Sequence, residues 1–235
     1  ALRIATSFEQ TSGIASADRF KVAMTGNPVR SAIAELAGRA YPLPDHDGPL
    51  RLLVIGGSQG ASVFAELLPA ALALLPPQIR TRLSVAQHCR PEDLQEVRAR
   101  YAKDGIEAEC AAFFDDMAAR LERAHLVVCR AGASSVAELA AAGRPAILVP
   151  FPSATDDHQS ANARALEAAG GAILLAEAEA TAGRLAECLN GFLASPDALA
   201  GAARAAHGIG RPAAGAALAD LVESLIPVNG NPDRA

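Results

Sequence analysis

From Leu50 onward the chain alternates short apolar runs, often β-branched, with longer stretches whose apolar positions recur every three or four residues. The short runs fall at 50–55, 82–88, 108–113, 126–129, 145–151 and 172–175. Amphipathic stretches fill the gaps at 61–75, 91–103, 116–124, 135–142, 159–169 and 182–193, with turns bearing Gly, Ser or Asp between the two kinds. This rhythm predicts an α/β fold, a Rossmann-like parallel sheet flanked by helices. Near-continuous apolar runs fit strands covered on both faces.

The two ends depart from the rhythm. Residues 1–39 hold one strand-like run at 2–8 and a Gly-Asn-Pro turn at 26–28, too little to fold alone, and read as the end of something larger. The segment 41–49, with three prolines, reads as an exposed linker. Ala-rich helical segments are expected at 198–206 and 214–225, and a frayed polar tail after them.

Composition narrows the classes. A 235-residue chain that is 51% apolar can bury one ample core. A net charge of -5 argues against a nucleic-acid partner, which needs clustered Lys and Arg. No apolar run is long enough for a bilayer-spanning helix, because Arg144 interrupts the best candidate and Glu66 the next. Residues 1–6 show no secretory signal, so a soluble cytoplasmic chain is expected. Cys89, Cys110, Cys129 and Cys188 share no C-x-x-C spacing and read as free buried thiols. The five histidines do not cluster, and no metal is expected.

Three constellations could carry chemistry. The first is Gly56-Gly57-Ser58-Gln59-Gly60-Ala61, a glycine-rich turn between strand and helix whose amides could approach a phosphate. A plain tight turn with Ser58 as N-cap is the alternative. The second is Cys129-Arg130-Ala131-Gly132-Ala133-Ser134-Ser135-Val136-Ala137-Glu138, where small residues leave room for a diphosphate and Glu138, read in the first helical turn, could accept two ribose hydroxyls. Ser135 and Glu138 also have capping-box spacing, and the two readings stand even. The third is the polar loop from Pro150-Phe151 through Asp156, Asp157, His158 and Gln159 to Asn162, suited to reading sugar hydroxyls. Its alternatives are capping by Asp157 and a weaker metal site from Asp156, Asp157 and His158. Two minor features are Arg30 after the Asn27-Pro28 turn, and Phe113-Phe114-Asp115-Asp116-Met117, with an Asp expected to cap the next helix.

Taken in order, Thr25-Gly-Asn-Pro-Val-Arg30, Gly56-Gly-Ser-Gln-Gly-Ala61, Phe113 to Met117, Cys129 to Leu139 and the Pro150 to Ala163 loop resemble the MurG family of glycosyltransferases. The series covers 25–163 and extends more loosely into the C-terminal helices. The resemblance implies a GT-B fold, in which two Rossmann-like domains face a cleft and the C-terminal one holds UDP-N-acetylglucosamine. Carried over, it places Arg30 and Ser58 near the phosphates or neighbouring sugar, and Phe114 at the uracil through its backbone. Ala133, Ser134, Ser135, Val136 and Ala137 would wrap the diphosphate, and Glu138 would hold the ribose. Gln159, with His158 and Asn162, would read the hexose hydroxyls. His158 stands where some members have Gln, and Ser134 and Ser135 where others have Leu and Thr.

The family's N-terminal domain, with its glycine-rich GTGGH-like segment, acceptor site and general base, has no counterpart in these motifs. On this reading 1–25 is a remnant of that domain and the crossover, 26–227 the donor-binding domain with its C-terminal helices, and 228–235 a flexible tail. No catalytic residue is expected within the chain, and no cofactor, since UDP-GlcNAc is a substrate. The implied reaction is inverting transfer of GlcNAc to the C4 hydroxyl of lipid-linked MurNAc-pentapeptide, lipid I to lipid II, at the cytoplasmic face of the plasma membrane. Alternatives are another GT-B enzyme such as a UDP-GlcNAc 2-epimerase, and a non-catalytic nucleotide-sugar-binding subunit of a split glycosyltransferase.

Overall fold

The computed structural model describes residues 1–8, 11, 13–152 and 157–226, and only the backbone of 57–61. The predicted tail, 228–235, lies outside the described residues. Six strands form one parallel sheet: β3 (Leu50–Ile55), β4 (Leu83–His88), β5 (Glu107–Ala111), β6 (Leu126–Cys129), β7 (Ala146–Leu148) and β8 (Ala172–Leu174), in the order β5-β4-β3-β6-β7-β8. The chain runs outward from β3 through β4 to β5, then returns to the other side of β3 as β6. A parallel sheet opens a crevice at the carboxyl ends of its strands where the winding reverses in this way. Here that crevice lies between β3 and β6, whose last residues, Ile55 and Cys129, are partners in the ladder.

Helices cover both faces. Leu52 and Val54 of β3 pack with Phe64, Leu68 and Leu72 of α2 (Gly57–Ala73), Val97 and Tyr101 of α4 (Leu94–Lys103), and Leu189 and Phe192 of α8 (Ala182–Leu193). Leu53, between them, points the other way. It joins Ile33 of the four-residue helix α1 (Ser31–Ala34), Leu121 of α5 (Met117–Arg123), Val136 and Leu139 of α6 (Ala133–Ala142), and Leu166 of α7 (His158–Ala168). The single turn α3 (Pro77–Arg80) leads into β4. Beyond β8, α9 (Pro196–Ile209) packs on α6, and α10 (Ala214–Glu223) buries only Ala214. Gly210, just past α9, allows a close backbone approach: a Cβ there would lie 2.5 Å from the Ala140 carbonyl oxygen of α6.

The sequence reading places the helices well but shifts several edges. Strand β5 ends at Ala111, leaving Phe113 outside it, and α2 begins at Gly57, with only Gly56 between it and β3, instead of near 61. The N-terminal segment contains a second strand that the pattern missed. β1 (Ile4–Thr6) pairs in parallel with β2 (Val22–Met24) across a 3-10 turn at Ser16–Lys21. The 41–49 segment is largely exposed, as expected of a linker, but it is pinned. Tyr41 donates to the His125 carbonyl at 2.7 Å, and Arg82 donates to the carbonyls of Gly48 and Asp45 at 2.8 Å.

All four cysteines are buried and free. No described helix is long and apolar enough to cross a membrane. Buried Arg144 spends its guanidinium on carbonyls, donating to those of Leu121 at 2.5 Å and Glu122 at 3.0 Å, which ties the end of α5 to the start of β7.

His125 gives the fold a pH dependence. It is 1% exposed, its Nδ1 accepts the Arg51 N–H at 3.1 Å, and burial together with nearby Arg51 and Arg144 lowers its pKa to about 4. Between the ordinary histidine value and that lowered one, the unfolded chain takes up a proton that the folded chain refuses, so stability falls as pH falls through this window. His125→Gln can keep the acceptor for Arg51 but cannot titrate. Chemical denaturation at pH 7.5 and pH 4.5 should therefore show a loss larger in the parent than in the variant, by up to about 3 kcal/mol. Equal losses would show that His125 is not the group responsible.

Candidate functional site

Both turns that flank the crevice run straight into helices without a side-chain cap. Gly56 is the N-cap of α2 and Gly132 that of α6, and neither helix start receives a capping hydrogen bond. The first amides of such helices have no intrahelical acceptor and point, with the partial positive charge of the helix end, towards an anion. Glycine at both caps leaves those amides accessible.

This corrects several sequence-based alternatives. Ser58 falls inside the first turn of α2, so it is not the N-cap; the side chains of Gly57, Ser58, Gln59, Gly60 and Ala61 lie outside the described residues. Helix α6 starts at Ala133, two residues before the expected start, because Gly132 takes the extended cap conformation (φ -59°, ψ 146°). Ser135 is consequently inside the helix and Glu138 in its second turn, not its first, so no capping box forms. Val136 turns its side chain into the core and its N–H bonds the Gly132 carbonyl at 3.0 Å. Within 133–137, the amides left for a ligand are those of Ala133, Ser134 and Ser135.

The third stretch closes over the second. Gln159 Oε1 accepts the N–H of Ala131 at 3.2 Å and of Phe151 at 3.0 Å, while Asn162 Nδ2 donates to the Ala131 carbonyl at 3.1 Å. The Ala131 peptide, immediately before the α6 turn, is thus held at both polar ends from α7. Because the Gln159 oxygen is occupied twice, its amide nitrogen remains the group for meeting a hydroxyl. Asn162 is buried, so its established partner is the turn itself. His158 opens α7 on the exposed surface.

Asp157 precedes α7 in a left-handed conformation (φ 53°) and makes no side-chain cap, contrary to the capping alternative; its carboxylate pairs with Arg164 at 3.7 Å. Asp156 lies outside the described residues. Among the described residues, no group of three or more His, Cys, Asp or Glu is placed to hold a metal.

Arg30 and Glu138, 108 residues apart, meet at the crevice in a two-pronged ion pair, Nε to Oε1 at 2.8 Å and Nη2 to Oε2 at 2.9 Å. The hydrogen bond to Glu138 holds the Arg30 pKa above its ordinary value. Below them is a 170 Å³ pocket lined by Ile55, Cys129, Met117, Leu121, Leu139 and Ser135. Phe114 does not line this pocket. It is 6% exposed with the Arg120 guanidinium 3.8 Å above its ring, whereas Phe113 is 77% exposed at the same edge of the sheet. Asp116 occupies the N-cap position of α5 but makes no cap; its carboxylate goes to Arg120 at 2.6 Å, a charged partner that outcompetes a backbone amide.

Arg130, in the same motif, carries a structural role that the sequence alone does not disclose. It is 8% exposed at the carboxyl end of β6, donating to the carbonyls of Val149 and Pro150 at 3.2 Å. It pairs with Glu177, and the rings of Phe64 and Phe151 lie 5.5 and 5.3 Å from its guanidinium. A charge directly after a fully buried apolar strand was the available signal. The arrangement fixes the exit of β7 beside the α6 turn.

A Rossmann-like crevice at the reversal point of a parallel sheet, with two glycine-capped helix starts and a carboxylate on the second helix, is the architecture of a domain of a GT-B glycosyltransferase. The chain belongs to glycosyltransferase family 28, whose C-terminal domain it matches over residues 51–223. A protein of Paramagnetospirillum magneticum named UDP-N-acetylglucosamine--N-acetylmuramyl-(pentapeptide) pyrophosphoryl-undecaprenol N-acetylglucosamine transferase is 52% identical over 96% of this chain and 61% of its own length. One of Rhodospirillum rubrum with the same name is 54% identical over 86% of this chain and 52% of its own. The crystal structure of Acinetobacter baumannii MurG superposes with a TM-score of 0.78 at 29% identity, covering 96% of this chain and 61% of that one. WaaG, a glycosyltransferase of lipopolysaccharide biosynthesis, shares the fold at a TM-score of 0.60 and 17% identity. The resemblance to MurG carried by the motifs therefore extends over nearly the whole chain, which spans about three fifths of the length of the first of these relatives.

The clamp on Ala131 can be tested on its own. Gln159→Leu removes the acceptor of two backbone amides and should cost about 2 kcal/mol of stability in urea denaturation. Gln159→Glu retains an acceptor oxygen and should lie within about 1 kcal/mol of the parent. Equal stability of the Leu variant would mean that the clamp does not hold the turn.

Proposed function

We propose that this chain is the donor-binding part of an inverting glycosyltransferase that moves GlcNAc from UDP-GlcNAc to the C4 hydroxyl of lipid-linked MurNAc-pentapeptide, converting lipid I to lipid II in peptidoglycan synthesis. The observation that carries the reading is the convergence of the uncapped α6 start with Glu138, Arg30 and Gln159 at the reversal point of the sheet. The names and similarity of the relatives supply the substrate, and favour glycosyl transfer over epimerisation or a non-catalytic subunit.

In this reading the diphosphate lies against the amides of Ala133 to Ser135 and those opening α2, with Ser58 and Arg30 alongside. Glu138 takes the ribose diol, Phe114 meets the uracil through its backbone, and Gln159, with His158 and Asn162, faces the hexose. The acceptor oxygen forms its bond to the anomeric carbon as the bond to UDP breaks, and the acceptor proton passes to a base. That base and the acceptor site are assigned to the part of the relatives that this chain does not span. Charge grows on the UDP oxygen as the bond breaks, and fixed amide dipoles with Arg30 stabilise it more in the transition state than in the ground state. These groups can do the work of a metal, so no cofactor is assigned. A lipid-linked acceptor places the reaction at the cytoplasmic face of the plasma membrane, with the enzyme peripherally associated.

Calorimetry with UDP and UDP-GlcNAc in the presence of EDTA tests the reading; binding that disappears on chelation and returns with magnesium would refute the metal-free assignment. Glu138→Gln keeps shape but replaces a charged acceptor by a neutral one, and should weaken UDP-GlcNAc binding by about 1.5–3 kcal/mol, roughly ten- to a hundredfold, with little change in melting temperature. An unchanged affinity would remove Glu138 from the ribose site.

A further inference from the structure

Two side chains that the proposed function assigns to different parts of one ligand are bonded to each other. Arg30 Nε and Nη2 donate to Glu138 Oε1 and Oε2 at 2.8 and 2.9 Å, so both carboxylate oxygens that a ribose diol needs are already engaged. The geometry is prepared by the chain before it. Gly26 has φ 85°, a left-handed conformation that favours glycine, and a Cβ there would fall 2.7 Å from Arg211 Cβ at the approach to α10. The turn through Asn27 and Pro28 then delivers Arg30 to the N-cap of α1, facing α6. Ile55 and Cys129, the last residues of the two central strands, line the pocket that Arg30 and Glu138 rim, so the pair sits at the crevice itself.

We infer that Arg30 is a specificity-determining residue that guards Glu138, competing with ribose for the carboxylate and yielding it at little cost only to a nucleoside that carries a diphosphate. The inference rests on the reading of this crevice as a UDP-sugar site. A nucleoside without phosphate must exchange the two hydrogen bonds of an ion pair for two from neutral hydroxyls and leave the guanidinium to water. A diphosphate offers that guanidinium a new anion. The free amides at Ala133 are five residues before Glu138 on the same helix, about 7 Å along its axis, a shift within the swing of an arginine side chain. With the Arg30 side chain 59% exposed, water and salt weaken the pair, so the guard tilts the choice by a few-fold and does not forbid entry.

Titrating uridine and UDP into the parent chain, Arg30→Met and Arg30→Lys tests this. The Met variant keeps the apolar stem without the charge. It should bind uridine about two- to fivefold more tightly than the parent and UDP at least about tenfold more weakly, with Lys between the two. Uridine affinity that is unchanged or reduced in Arg30→Met, while UDP affinity falls, would overturn the guard and leave the UDP-sugar reading standing. No UDP binding by the parent chain would overturn that reading and the guard with it. The parent also allows a test that needs no variant: raising salt from about 20 to about 300 mM screens the pair and should strengthen uridine binding while weakening UDP binding. Salt responses of the same sign would count against the inference.

Discussion

The ladder between β3 and β6 is the constraint on which the rest depends. These strands are far apart in sequence, yet Leu52 to Ile55 run beside Leu126 to Cys129 in register, with Ile55 opposite Cys129. Each next residue begins a turn, so Gly56 and Arg130 leave the sheet side by side. The two glycine-capped helix starts are neighbours because of that register. A slip of one residue would turn Leu53 away from the core beneath α5 and α6 and expose it to the wrong face. The same hydrophobic pattern that packs the sheet therefore fixes where an anion can be received.

A second layer of restraint comes from polar contacts made to backbone groups. Gln159 and Asn162 hold the Ala131 peptide, Arg130 holds the Val149 and Pro150 carbonyls, and Arg144 holds the end of α5. Each joins different strand-helix units, Gln159, Asn162 and Arg130 at the carboxyl edge of the sheet and Arg144 at the opposite edge, before β7. An unpaired buried carbonyl or amide is costly, so these side chains give otherwise irregular turns a single arrangement. The carboxyl edge is in this sense organised by charge and amide chemistry where the core is organised by shape.

Most of the fold was legible because strands buried on both faces leave a strong mark. The fully apolar Leu126–Cys129 and the 182–193 helix were located from pattern alone, both to the residue. Helix starts were less legible. Glycine carries no hydrophobic signal, so Gly56 and Gly132 hid the first turns of α2 and α6, and the Ser135–Glu138 spacing suggested a cap that the real start makes impossible. Strand β2 escaped because three residues paired only with a distant three-residue strand show no periodicity. Among site residues, the types were readable but not their pairings. Nothing local in the chain signals that Arg30 reaches Glu138, or that Asn162 faces a peptide instead of open space; both depend on tertiary placement.

The close passage of Gly210 against α6 bears on motion. With room at Gly210 only for a hydrogen, the end of α9 lies directly on the Ala140 carbonyl, and α6 is backed by a neighbour that leaves it no slack. A helix so buttressed cannot recoil or rotate when a ligand presses on its opening turn at Ala133. Adjustment to an arriving nucleotide is left to side chains, while any larger closure has to move α6 and α9 as one body about a hinge elsewhere in the chain.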